Sequence, residues 1–105
     1  MRYILALILL VPTLVMATEN EVEIKIKNHK FEPAQVFVPA GKKIKLLIEN
    51  QDATPEEFES HELNREKVIA GNSSTTIYVG PLDSGSYGYF GEFNAASAQG
   101  VIVAK

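Results

Sequence analysis

Cysteine is missing altogether from the 105 residues. That excludes disulfide staples, thiol nucleophiles, thiol redox chemistry and thiolate metal sites. Small exported domains often rely on disulfides. This chain must instead hold by its apolar core, burying roughly 60% of the surface that its unfolded form exposes. Both methionines, Met1 and Met16, fall at the N-terminal end, so the body of the chain offers no thioether. Basic residues are also in short supply, 10 Lys and Arg against 13 Asp and Glu. Such a balance provides no basic patch for nucleic acid or anionic lipid. Hydrolase and transferase signatures are absent: there is no G-x-S-x-G, no H-E-x-x-H and no Gly-rich phosphate loop before a helix. No internal repeat, linker or low-complexity tract interrupts the sequence.

The one long apolar run is N-terminal. "MRYILALILLVPTLVMA" starts with a single basic residue, Arg2, and ends on Val15-Met16-Ala17, whose small flanking side chains suit a signal peptidase. The run is short for a membrane span and contains Pro12. The expectation is a signal peptide over 1–17, cleavage before Thr18, and one domain over 18–105. The product is then periplasmic or secreted, with no membrane insertion after cleavage. Losing Arg2 leaves nine basic residues against 13 acidic ones, a net charge of −4.

Strand signals dominate the rest. "EVEIKIK" alternates strictly, with Val22, Ile24 and Ile26 on one face and charges on the other. "FEPAQVFVPAGKKIKLLIEN" holds two strands around Pro39-Ala40-Gly41, where glycine supplies the positive φ of a reversal. "KVIAGNSSTTIYVG" repeats the scheme with a turn at Ala70-Gly71-Asn72. "GPLDSGSYGYF" leads into an aromatic strand, and "GVIVAK" is a last apolar one. Seven to eight short strands with regular turns predict an all-β Greek-key sandwich. The break is "ATPEEFESHELNREKV", where alternation is poor and Ser60 to Glu66 reads as a helical turn or polar loop. The aromatics Phe58, Tyr78, Tyr87, Tyr89 and Phe90 are assigned to core and cross-strand packing.

Two stretches carry a resemblance. "FEPAQVFVPAGKKIKLLIENQD" is similar to the opening half of cupredoxins, and "GPLDSGSYGYFGEFNAASAQGVIVAK" to their closing half. "EEFESHELNREKVIAG" further resembles small exported cupredoxin-like proteins of bacterial iron-permease systems. It also resembles the cupredoxin-like domain of EfeO-type iron-uptake proteins. The resemblance implies a cupredoxin-like sandwich, handling of iron with copper as a possible oxidising cofactor, and a membrane iron permease or an associated periplasmic iron-binding protein as partner.

It also implies where a metal would sit. A type 1 copper site needs two imidazoles and a thiolate with a weak axial ligand. By resemblance, the Cys position falls on Gly91, one His on Asn94, the axial ligand on Gln99 and the other His on Glu56. No type 1 copper is therefore expected, and blue-copper electron transfer is excluded. Carboxylates stand there instead: Glu56 and Glu57 at the first ligand position, and Glu92 in the loop folding against it. If "EEFES" is extended with Phe58 inward, Glu56 shares that inward parity while Glu57 and Glu59 point outward with His61. Oxygen-rich sites favour hard ions. The candidate metal residues are Glu56, Glu57, Glu92 and His61, for iron or a copper ion.

Two readings follow. In the first, an exported cupredoxin-like protein binds iron or another metal ion through carboxylates in support of iron uptake. In the second, a metal-free sandwich presents "EEFESHELNREK" to a membrane transporter. Glycosidase chemistry by the carboxylates is set aside, since so small a sandwich lacks a cleft for a sugar chain. An accessory role in iron oxidation is the one enzymatic expectation.

Overall fold

A computed structural model describes residues 20–105; the expected signal peptide lies outside the described residues. Among the described residues, nine strands form two sheets. They are β1 (Glu21–Lys27), β2 (Lys30–Glu32), β3 (Gln35–Val38), β4 (Ile44–Asn50), β5 (Glu56–Ser60), β6 (Arg65–Ile69), β7 (Ser73–Val79), β8 (Gly85–Gly91) and β9 (Gln99–Ala104). One sheet runs β2-β1-β4-β7 and the other β3-β9-β8-β5-β6. Both are mixed, because β1 lies parallel to β4 and β3 parallel to β9 while the other pairs are antiparallel. The expected all-β sandwich is borne out, with nine strands in place of seven to eight.

The added strand comes from Asn28-His29, a two-residue turn with both φ values positive, at 53° and 58°. Such a turn matches the twist of a hairpin, so the chain reverses at once and Ile26 pairs with Phe31. At Gly41 the backbone takes φ 76°, as the Pro39-Ala40-Gly41 reversal requires.

Alternation fills the core. Ile24 and Ile26 of β1 meet Ile44, Leu46 and Ile48 of β4, all fully buried. In the second sheet, Phe58 stacks on Tyr89 at 4.9 Å between ring centres, and Phe31 of β2, from the first sheet, approaches Tyr89 edge-on at the same distance. Tyr78 departs from its expected packing. It is 48% exposed, with the Lys43 ammonium 4.6 Å above its ring. Its neighbours Ile77 and Val79 take the inward positions of β7, and parity leaves Tyr78 outside.

The stretch expected as a helical turn or polar loop is a hairpin. Ser60 ends β5, residues 61–64 turn with Asn64 at φ 53°, and Arg65 and Glu66 open β6. The turn is tied down by Ser60, whose hydroxyl donates to the Gly88 carbonyl at 2.7 Å and accepts the Leu63 N–H. Arg65 donates to the Tyr78, Leu63 and Asn64 carbonyls. Its polar sequence hid a strand because the outer face of β6 is almost wholly solvated.

Candidate functional site

The end of the sandwich where β4 finishes and β5 begins is organised by buried polar groups. Asn50, 1% exposed, donates its amide to the Thr54, Ile69 and Ala70 carbonyls and accepts the Asp52 N–H. Asp52 in turn accepts the Asn28 and His29 N–H groups at 2.8 and 2.9 Å. Those bonds, the His29 N–H above all, hold the Asp52 carboxyl below its ordinary 3.8 despite partial burial.

β5 alternates strictly, with Glu56, Phe58 and Ser60 buried and Glu57 and Glu59 half-buried on the other face. The expected parity of "EEFES" is thus realised, and it splits the candidate carboxylates between two environments.

Inward, Glu56 is 1% exposed. Its Oε1 accepts the N–H of Glu57 at 3.0 Å and of Phe93 at 2.9 Å, and its Oε2 accepts the Asn94 Nδ2 amide at 2.7 Å. A buried carboxylate is tolerable when such donors surround it. Gly91 on β8 makes room for it: a Cβ there would stand 2.6 Å from Glu56 Cδ and 2.7 Å from Ala98 Cβ.

Outward, Glu59 faces Glu66 directly across the β5–β6 ladder, and Glu57 faces Val68. One carboxylate oxygen from each of Glu57, Glu59 and Glu66 lies within 4.8 Å of the others. Glu92, opening the 3-10 turn Glu92–Asn94, contacts Glu59. Desolvation raises the Glu57 carboxyl above 4.5, helped by a hydrogen bond with Glu66 and by the charges of Glu66, Glu59 and Glu92. Glu59 is raised in the same way, by desolvation first, then by Glu92 and Glu66. The charge of His61 opposes that shift, and His61 lines one surface depression with Glu59 and Glu66. The His61 ring leans on Phe90, 5.7 Å away. Among the described residues, no lysine or arginine forms an ion pair with these four carboxylates.

Of the four candidates from the sequence, Glu57 and Glu92 come to the outward cluster, His61 lies beside it, and Glu56 lies on the opposite face of the strand. Glu59 and Glu66 are not among those four candidates. The signal that pairs them is the antiparallel register of β5 and β6, which stayed hidden while Ser60 to Glu66 was read as a helical turn or loop.

A family model described as a cupredoxin-like domain matches residues 1–104. The chain belongs to that family. It is 51% identical over 83 residues to an uncharacterized protein of Rickettsia prowazekii (strain Madrid E), covering 79% of this chain and 66% of that relative. Among solved structures, auracyanin A, a "blue" copper protein of Chloroflexus aurantiacus, matches with a TM-score of 0.70 at 16% identity. That match covers 81% of this chain and 98% of the other. Amicyanin of Paracoccus versutus matches with a TM-score of 0.65 at 16% identity, covering 82% of each chain. At such identities the likeness is one of fold.

The donors of this cupredoxin-like chain do not fit a blue-copper ion. There is no thiolate, Gly91 has no side chain to offer, and the Glu56 carboxylate is already held by three N–H groups. Gln99, matched by resemblance to the axial ligand, is turned outward and donates to the Ala95 carbonyl. Ala98 is the buried residue against Gly91.

Proposed function

We propose that this cupredoxin-like protein is exported and binds a hard metal ion through Glu57, Glu59 and Glu66, with Glu92 and His61 at the margin, in support of iron uptake. One observation carries the reading: three carboxylates converge within 4.8 Å on a folded strand pair. Opposed like charges destabilise a ladder, and a bound cation would relieve them. Oxygen donors suit iron, manganese or magnesium better than Cu(I). Iron as cargo, the compartment, and a permease or periplasmic iron-binding protein as receiver rest on the family resemblance. With carboxylate ligands on an open sheet face, release to such a receiver needs no unfolding.

Anaerobic calorimetric titration with Fe(II), Mn(II), Zn(II) and Cu(II) tests it. About one equivalent of Fe(II) or Mn(II) should bind at micromolar affinity, roughly 8 kcal/mol. Glu57→Gln with Glu66→Gln should weaken binding at least about tenfold without lowering Tm. Equal heats from the wild type and the double variant would remove the assignment.

The exposure of Phe93 (50%) and Val68 (53%) beside the acids favours a second reading, an interaction face for a membrane transporter. Permease pull-down that survives chelation and the double Gln variant would select it.

A further inference from the structure

The 3-10 turn Glu92–Asn94 has no side-chain cap from its own N-cap residue, Gly91. The N–H that such a cap would take, that of Phe93, goes instead to Glu56 Oε1, 37 residues away in sequence. The same carboxylate holds the Asn94 amide through Oε2 and the N–H of Glu57 through Oε1. Two of its three donors are therefore adjacent in sequence to, or form part of, the outward cluster: Glu57 itself, and Phe93, the neighbour of Glu92. The other bonds of the loop run from Gly91 N–H to the Ala98 carbonyl, from Ser97 N–H, Ala98 N–H and Ser97 Oγ to the Asn94 carbonyl, from Ser97 Oγ to the His29 carbonyl and from the Gln99 amide to the Ala95 carbonyl. They meet the 92–94 turn at its two ends, Gly91 and Asn94, and leave the Phe93 N–H to Glu56.

We infer that Glu56 is a positioning residue: its buried carboxylate, by capping the 92–94 turn from the facing strand, sets where Glu92 stands relative to Glu57 and Glu59. A single inward group thus shapes the outward cluster by way of backbone. The consequence for ion binding rests on the cation reading above; the positioning itself is independent of it.

A merely structural role would cost stability without changing how Glu92 interacts with its neighbours, and a thermodynamic cycle separates the two. In the wild-type background, Glu92→Gln removes repulsion and should raise the folding equilibrium constant about two- to threefold. In a Glu56→Leu background, which offers the Phe93 N–H no acceptor, that gain should vanish, because the turn is no longer held against β5. Glu56→Gln keeps one acceptor oxygen for the Phe93 N–H and can pair its amide with the Asn94 side-chain oxygen, so it should retain both the gain and the slow amide exchange of Phe93. For Mn(II), Glu56→Leu should weaken affinity about fivefold or more, with Glu56→Gln staying near the wild type. An equal gain from Glu92→Gln in the wild-type and Glu56→Leu backgrounds, or unchanged Phe93 exchange in Glu56→Leu, overturns the inference. If the cycle shows coupling while the wild type takes up no Mn(II), positioning stands and the cation reading falls.

Discussion

The two faces of β5 carry the same chemical group in opposite circumstances. Inward, Glu56 is surrounded by N–H donors that its oxygens need. Outward, Glu57 and Glu59 face other carboxylates, Glu66 and Glu92. Successive residues of one strand, about 3.4 Å apart along the chain, therefore differ in what their oxygens meet, N–H donors on one face and other carboxylates on the other. Burial alone does not decide the fate of an acid here. The more deeply buried carboxylate is the better satisfied, because three donors converge on it, whereas the half-exposed ones meet chiefly other carboxylates.

The comparison breaks most directly at Glu56. Glu56→Ala leaves the Phe93 and Glu57 N–H groups and the Asn94 amide without their acceptor and opens a void beside Gly91. A loss of about 3 kcal/mol is expected in denaturant unfolding. A loss below about 0.5 kcal/mol, the level of an ordinary surface substitution, would show that the inward carboxylate holds little. Next in size is Gly91→Ala, whose methyl enters the space of the Glu56 carboxyl and of Ala98. It should cost about 1–3 kcal/mol, and less once Glu56 is itself alanine.

A third test concerns an inward polar atom that lacks a partner. The Tyr89 hydroxyl is buried with no hydrogen-bond partner, and burial pushes its ionisation well above the ordinary 10.0. Tyr89→Phe should leave stability unchanged or raise it by up to about 1 kcal/mol. A clear loss would mean that the hydroxyl is satisfied in solution.

The smallest effect belongs to the outward face. Glu66→Gln should raise Tm slightly at neutral pH and not at all well below pH 4.5. The sign follows from the raised carboxyls. Between 4.5 and their folded values, Glu57 and Glu59 bind more protons in the folded state than in the unfolded state, so stability falls as pH rises through that window. Asp52 works the other way. Its contribution is present above 3.8 and is lost as pH falls from there toward its lower folded value. Mild acidification of the apo-protein should therefore stabilise it before stronger acid unfolds it, and Glu66→Gln should flatten the first phase. A Tm that falls steadily from neutrality would contradict the outward repulsion.

Much of this could be read from residue order. Strict alternation in "EVEIKIK" and "KIKLLIE" reports strands with one buried face, since only a period of two keeps Ile24, Ile26, Ile44, Leu46 and Ile48 out of water. The inward parity of Glu56 followed from Phe58 on the same strand. The β6 strand was legible only at its end, in the "KVI" that leads to the Ala70-Gly71-Asn72 turn: "REKVI" has a single buried residue, Ile69, so no hydrophobic rhythm carries the strand back to Arg65. With the start of β6 unseen, Glu66 had no place opposite Glu59. That Ala98 is buried while Gln99 turns outward was likewise hidden, because the path of the chain over residues 92–98 has no marker in composition.

By itself, the sequence determined that the sandwich is held without disulfides, that thiolate copper is excluded, and that acids rather than imidazoles stand where one end of the fold closes. Those outcomes depend on which atoms the chain possesses. The tertiary structure alone decided which carboxylates are partners and which are rivals. That choice depends on cross-strand register and on one loop folding back over β5, where Phe93 and Asn94 donate to Glu56 while Glu92 is left beside Glu59. Electrostatic energy varies with distance and surroundings over a few ångströms, and no reading along the chain supplies those distances.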